Sequence, residues 1–171
     1  MGVGNLEFIK SASGTSVSSL SVTDCFSADY DVYYLTSTKM DITNTDEYIG
    51  FRYIDSSGVD STSNYDYAHL NLNAYSSFGE GRATNLTRGV VGLIGNTPTT
   101  SLAGLSFYVF NPYQSSSYTF GLYQGASVSS LGFQGMKVIS VHTVAEIISG
   151  IYLFPLAGSF DNITVNVYGV K

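Results

Sequence analysis

Hydrophobic and polar residues alternate with a period of two along most of the chain, which is the pattern of β-strands that turn one face toward a core. The longest run covers residues 30–42, where the even positions from Val32 to Ile42 share one predicted face and the odd positions share the other. Residues 48–54 repeat the alternation and lead into Asp55-Ser56-Ser57-Gly58, a turn whose glycine tolerates positive φ. Both runs therefore predict antiparallel strands with one buried face.

Further strands are predicted from β-branched and aromatic runs at residues 65–74, 86–94, 105–111, 118–123, 137–141, 151–154 and 163–168. Turn residues separate them at 96–98, 111–112, 121–135 and 155–159, and the predicted loops are 55–64 and 127–135. Residues 141–148 have helical spacing, but they are β-branched enough to form a strand instead.

About ten strands without helices between them predict an all-β fold, either an antiparallel double-sheet β-sandwich or a barrel. The length of 171 residues favours a single domain over residues 1–171. Residues 1–10 are expected to form an N-terminal arm or the first strand.

The composition is low in charge and rich in tyrosine. Charged residues are 12% of the chain, about half the usual share, whereas 44% are hydrophobic, with 14 Tyr, 10 Phe and no Trp. Charges are depleted in interfaces because desolvating them is costly, and tyrosine joins an apolar ring to a polar tip. We therefore expect a closed homo-oligomer whose contact is framed by the strands at 30–42 and 163–168.

Charge and hydropathy also bound the partners. A net charge of −6, with seven basic residues spread along the chain, argues against binding nucleic acid. No apolar run approaches the roughly 20 residues of a membrane span, so no membrane insertion is expected. The first residues lack the pattern of a signal peptide, which predicts synthesis in a cytoplasm without an export signal.

The candidate nucleophiles and bases are few. Cys25 lies in an apolar setting and is predicted to be a small buried side chain. His69 is at an alternating strand position that is predicted to face solvent, and His142 ends an apolar run and is predicted to be a capped or surface residue. No Gly-x-Ser-x-Gly motif accompanies either histidine, so no catalytic residue is assigned and no enzyme is expected.

The acidic residues give two weaker hypotheses. Asp29 and Asp31 could share one face of a strand as paired carboxylates, but glycosidases usually add tryptophan platforms, which this chain lacks. Asp55, Asp60 and Asp66 flank a polar loop and could collect a cation such as Ca²⁺. Aspartate in such loops more often forms turns, and the EF-hand spacing is absent, so no metal or other cofactor is predicted.

Several segments together resemble virion structural proteins of tailed phages, especially marine and cyanobacterial ones. They are residues 30–35, 51–58, 63–68, 110–113 (Phe-Asn-Pro-Tyr), 117–120 and the closing run Gly158-Ser159-Phe160 through Tyr168-Gly169-Val170-Lys171. Many members of that group end in a similar Phe-x-x-Gly/Asn-x-Ile tail that closes on Tyr-Gly-Ile/Val-Lys. The resemblance covers about residues 17 to 171.

This resemblance implies a jelly-roll-like double sheet with a structural role on the virion surface and no catalytic residue to carry over. The chain shows no fibre shaft, which favours a capsid decoration (cement) protein or knob, in contact with other capsid or tail proteins. Because surface proteins on viral lattices often sit on three-fold axes, the resemblance also implies that the homo-oligomer is a trimer. The alternative is a tail or fibre receptor-binding module that recognises host surface glycan through tyrosine-lined loops such as residues 60–67. An enzyme such as a depolymerase is the third and least favoured reading.

Overall fold

The structure is a computed structural model that describes residues 5–44 (without the side chain of Lys39), 46–94, 103–130 and 132–171. These residues form strands joined by turns and loops, with no helix and hence none that could span a membrane. The strands are β1 (Leu6–Val17), β2 (Leu20–Val22), β3 (Val32–Ile42), β4 (Glu47–Asp55), β5 (Gly58–Val59), β6 (Tyr65–Asn73), β7 (Gly79–Leu86), β8 (Gly89–Ile94), β9 (Ala103–Phe110), β10 (Thr119–Ser129), β11 (Gly132–His142), β12 (Gly150–Pro155) and β13 (Phe160–Val170).

The strands form two antiparallel sheets. The larger sheet has eight strands in the order β1-β13-β3-β9-β10-β11-β6-β7. In the smaller sheet β12 lies between β2 and β4, and β4 also pairs with β5 and β8. Strands β1 and β3 belong to the large sheet, and β2 and β4 belong to the small one. Strand β13 lies between β1 and β3, and β12 lies between β2 and β4, which is a jelly-roll-like arrangement. The predicted antiparallel β-sandwich is thus confirmed, with thirteen strands in the described residues instead of about ten.

The hydrophobic core lies between the two sheets and has an aromatic centre. The ring of Phe51 on β4 lies 5.1 Å from that of Tyr123 on β10 and 5.9 Å from that of Tyr65 on β6. All three side chains are fully buried. Burying a large apolar side chain contributes about 1.5–3 kcal/mol, so these contacts across the core hold the sheets face to face.

Strand β3 keeps its period of two but does not keep one face in the core. Tyr33, Leu35 and Ser37 are buried, and then Met40 and Ile42 are. The pairing of β3 with β9 shifts register between Ser37 and Met40, where a β-bulge adds a residue. The predicted faces of residues 30–42 are therefore correct in alternation, but they exchange roles at the bulge.

The predicted loop at 127–135 is wrong, and so is the separator at 121–135. Most of this Ser/Gly-rich stretch lies in the hairpin of β10 and β11, which runs from Thr119 paired with His142 to Ser129 paired with Gly132. Here the ladder hydrogen bonds override the weak strand propensity of glycine. Residues 141–148 form neither a helix nor one strand: β11 ends at His142, and the residues after it form a loop that leads to β12.

The predicted strand at 86–94 is split between β7 and β8, which belong to different sheets. Strands β1, β2 and most of β7 were not predicted, and β1 shows that residues 6–10 belong to a first strand. The separator 96–98 lies outside the described residues. Strands β3 and β13 are internal to the large sheet, so they offer no free edge for the oligomer contact expected of them.

Candidate functional site

The outer face of the large sheet carries a row of side chains that is apolar on seven of the eight strands and ends in Arg82 on β7. In register order the row consists of Phe8, Tyr168, Tyr34, Tyr108, Leu122, Ile139, Ala68 and Arg82. Sheet faces exposed to water normally carry polar side chains at such positions. This face is therefore the candidate interaction surface of the protein.

The part of this face on β10, β11 and β6 is mainly aliphatic, and we call it the aliphatic half. Its large side chains are strongly exposed, with Ile139 at 58%, Phe133 at 56% and Leu70 at 52%. Phe120 on β10 is 45% exposed and borders a hollow of about 510 Å³ that continues onto the ring of Phe110. Contiguous apolar surface of this kind marks interaction sites in proteins.

The part of the face on β13, β3 and β9 is built from tyrosines and small polar residues. The ring of Tyr34 lies 4.8 Å from that of Tyr108 and 6.4 Å from that of Tyr168. The neighbouring register row continues from Asn166 through Thr36 and Ser106 to Gln124 on β10 and Lys137 on β11. On β13, β3 and β9 this part combines ring surfaces with uncharged hydrogen-bonding groups, and the charged Lys137 lies beyond them on β11.

A second candidate site is a buried histidine with two carboxylates. The Nε2 of His142 lies 2.7 Å from Oδ2 of Asp60 and 3.7 Å from Oε1 of Glu146. His142 is fully buried at the end of β11, so the prediction of a capped or surface residue is wrong. The reason is that its ring packs against Tyr53 and Tyr65 in the core, where Asp60 meets it across 82 positions of sequence.

The Asp60 carboxylate is held by several donors. The backbone amide and the hydroxyl of Thr62 donate to its Oδ1, while His142 lies at its Oδ2. Burial by itself would raise the pKa of Asp60, but these hydrogen bonds outweigh it and hold that pKa below its ordinary value. For Glu146, burial raises the pKa, and the attraction of His142 only partly opposes that effect.

The potential ligand atoms of Asp60, His142 and Glu146 lie within 4.8 Å of one another, which is close enough to hold a cation. Its details fit a hydrogen-bonded clamp better. Histidines that bind metals almost always donate their other ring N–H to a partner, and Nδ1 of His142 has none among the described residues. We interpret the cluster as a clamp between the end of β11 and the loop before β6.

The lowered pKa of Asp60 predicts how stability depends on acid. The stabilisation from this carboxylate is fully present above its unfolded pKa of about 3.8 and is lost as the pH falls through the lower folded value. We expect the urea midpoint of the wild-type protein to fall more between pH 5 and pH 3 than that of Asp60→Asn. An equal fall of the urea midpoint in the two proteins would contradict the assignment of this pH dependence to Asp60.

The other aspartates do not join this cluster. Asp55 accepts the amides of Ser57 and Gly58 in a turn, and Asp66 accepts the amide of Asn85. The three acids suggested for a cation thus have separate contacts: Asp55 forms a turn, Asp60 pairs with His142, and Asp66 bonds to β7. Asp29 also bonds locally, to the hydroxyl of Ser27.

Cys25 is buried, as predicted, and burial raises the pKa of its thiol to about 12. It therefore carries no thiolate at neutral pH that could attack a substrate. His69 does not face solvent freely: its half-buried ring is stacked on Tyr67 and lies 6.0 Å from the ring of Tyr48. Burial lowers its pKa. The hydrogen bond of His142 goes to a carboxylate and not to a potential nucleophile.

The loop suggested for glycan recognition, residues 60–67, exposes polar side chains but has no strongly exposed tyrosine. Tyr65 is fully buried, where its hydroxyl accepts the amide of Tyr53 and donates to the carbonyl of Asp60. Asp60 is itself buried. A tyrosine-lined surface lies instead on the large sheet, at Tyr168, Tyr34 and Tyr108. The sequence did not predict it, because periodicity shows which positions point outward but not which strands are neighbours.

No family model and no curated protein matches the chain. Among solved structures it is similar to the Clostridium perfringens CspB protease, at 10% identity and a TM-score of 0.26, over 92% of this chain and 25% of that one. It is also similar to SCLam, a non-specific endo-β-1,3(4)-glucanase from family GH16, at 8% identity and a TM-score of 0.26, over 90% of this chain and 63% of that one. The chain thus spans less than two thirds of either protein, and these likenesses carry no argument about its activity.

Proposed function

We propose that the protein is a non-enzymatic structural component of a tailed-phage virion, located on the particle surface as a capsid decoration or knob protein. The resemblance of residues 17 to 171 to such proteins supports the phage assignment. The exposed aliphatic half of the large sheet carries the structural role, because a free monomer seldom leaves such a surface open to water. Within the particle this surface is covered by protein.

A second copy of the chain is the occupant that we assign to the aliphatic half. The charged side chains in and around it are the acidic Asp66 and Glu80 and the basic Arg82 and Lys137, and Lys137 lies beside Ile139 on β11, paired with Leu70. Charges of both signs beside apolar side chains let one copy contact the next in a closed ring. The proposed assembly is a homotrimer, which leaves the remaining surface for neighbouring virion proteins.

Replacing Ile139 with lysine tests this assembly. The change replaces the most exposed aliphatic side chain of this surface with a second positive charge beside Lys137, and we expect the dissociation constant of the oligomer to rise at least about tenfold. Light scattering over a dilution series measures it. Ile147→Lys is the matched control, because Ile147 is 44% exposed in the loop between β11 and β12 and should leave assembly unchanged.

A wild-type protein that stays monomeric at the highest concentration tested would overturn the self-assembly. An Ile139→Lys variant that assembles like the wild type would place the interface elsewhere. The virion assignment has its own test, which is quantitative mass spectrometry of purified particles of the phage that encodes the chain. Copies in proportion to the major capsid protein indicate decoration, copies in proportion to tail proteins indicate the tail, and absence from the particle contradicts the proposal.

A further inference from the structure

The tyrosine-lined part of the large sheet has features that the assembly proposal does not use. We define the tyrosine platform as Tyr168, Tyr34 and Tyr108, which lie side by side on β13, β3 and β9. All three rings are half-buried, and adjacent rings are tilted by 36° and 39°. We propose that this platform binds an uncharged polysaccharide, whose sugar rings pack their C–H faces on the tyrosine rings.

The polar row beside the platform supplies groups that a sugar hydroxyl needs. Asn166, Thr36, Ser106 and Gln124 are consecutive across four strands, and among the described residues none of their side chains is engaged in a hydrogen bond. Hydroxyls and amides both donate and accept, as sugar hydroxyls do. Ring surfaces with a few convergent polar groups are the usual lining of small-ligand sites.

A shallow hollow joins the two rows. Its volume is about 530 Å³, and Tyr34, Thr36, Ser106 and Gln124 all line it. That volume is within the range of ligand sites, about 300–1,000 Å³. A Cβ added at Gly104, which also lines the hollow, would meet nothing within 4 Å, so the glycine leaves space that a larger side chain would fill.

Charge favours a neutral ligand over an acidic one. The outward positions of β9 are Gly104, Ser106, Tyr108 and Phe110. The first outward positions of β3 are Val32, Tyr34, Thr36 and Thr38. Those of β13 from residue 162 onward are Asn162, Thr164, Asn166, Tyr168 and Val170. None of these side chains is charged, so the three rings and the polar row offer no counter-charge to a uronate, sulfate or phosphate. Lys137 on β11 is the charged residue among the described residues that line the hollow. A peptide partner is disfavoured because the strongly exposed aliphatic side chains lie on the other half.

The test begins with the wild-type protein on an array of neutral and acidic oligosaccharides. Retention on at least one neutral glucan, mannan or galactan is expected, and titration then gives its affinity. Tyr34→Ala and Tyr108→Ala should each weaken binding at least about tenfold, while Tyr34→Phe, which keeps the ring, should weaken it less. Gly104→Leu should abolish binding by filling the hollow.

Tyr152→Ala is the matched control, since Tyr152 is a half-buried tyrosine on β12 of the other sheet and should leave binding unchanged. Measuring both oligomer size and glycan binding for every variant separates this inference from the assembly proposal. The platform variants should form the same oligomer as the wild type, and Ile139→Lys should bind the glycan like the wild type. The inference is overturned if no neutral glycan is retained at about 1 mM. It is also overturned if acidic glycans alone bind, or if Gly104→Leu and the alanine variants bind like the wild type.

Discussion

Asp60→Ala should lower the free energy of unfolding by about 3 kcal/mol, because it leaves a buried group without the carboxylate that is its hydrogen-bond partner. His142 is fully buried and its Nε2 has the Asp60 carboxylate at 2.7 Å, so the variant leaves a buried polar ring without its partner. The change also removes the acceptor of two hydrogen bonds from Thr62, which order the loop before β6. Urea unfolding at pH 7 and fixed protein concentration measures the effect.

Asp66→Ala is the matched control for that measurement. Asp66 is a half-buried aspartate that also accepts a backbone amide, from Asn85, but it does not pair with a buried histidine. We expect a loss of about 1 kcal/mol for it. If the two variants lost the same stability, the Asp60–His142 pair would not be the clamp described above.

Phe51→Ala should cost about 3–5 kcal/mol, as large-to-small changes in cores usually do. Its fully buried ring contacts Tyr53 on its own strand, at 5.1 Å between centroids, and Tyr123 across the core, also at 5.1 Å. Removing it leaves a cavity between the sheets that the rigid strands cannot close. Thermal and urea unfolding measure the loss.

Phe133→Ala is the control for this second change. Phe133 is 56% exposed on the outer face of β11, so its removal should change the stability of the dissociated chain by no more than about 0.5 kcal/mol. The comparison is best made in the Ile139→Lys background, where assembly does not contribute. A small effect of Phe51→Ala there would mean that the core does not have the aromatic centre described for it.

The strands with clean alternation could be predicted because their signal is local. Residues 48–54 place Ile49, Phe51 and Tyr53 on one face by period alone, and these side chains are buried as expected. The turn at Gly58, with its φ of 116°, follows from the same kind of local chemistry. Cys25 could be placed in the core because an apolar neighbourhood in sequence predicts burial.

The edge strands β1 and β7 were harder to predict, because edge strands are mostly exposed and carry little apolar pattern. The burial pattern of β7 has no buried residue. Strands were predicted at 118–123 and 137–141, but the part of the β10–β11 hairpin nearer its turn was taken as a loop for a different reason. Its serines and glycines have turn propensity in isolation, but the ladders to β9 and β6 supply hydrogen bonds that no local signal reports.

The sequence by itself thus determined the all-β class, the alternation of most strands and the low charge that predicts assembly, since each depends on residue type and local spacing. Only the tertiary structure decided that His142 is buried against Asp60, because that contact joins residues 82 positions apart. Strand order likewise decided that three tyrosines from β13, β3 and β9 form one platform and that aliphatic residues from β10, β11 and β6 form the other half. Period two tells which way a side chain points, but which strands become neighbours depends on the energy of the whole fold.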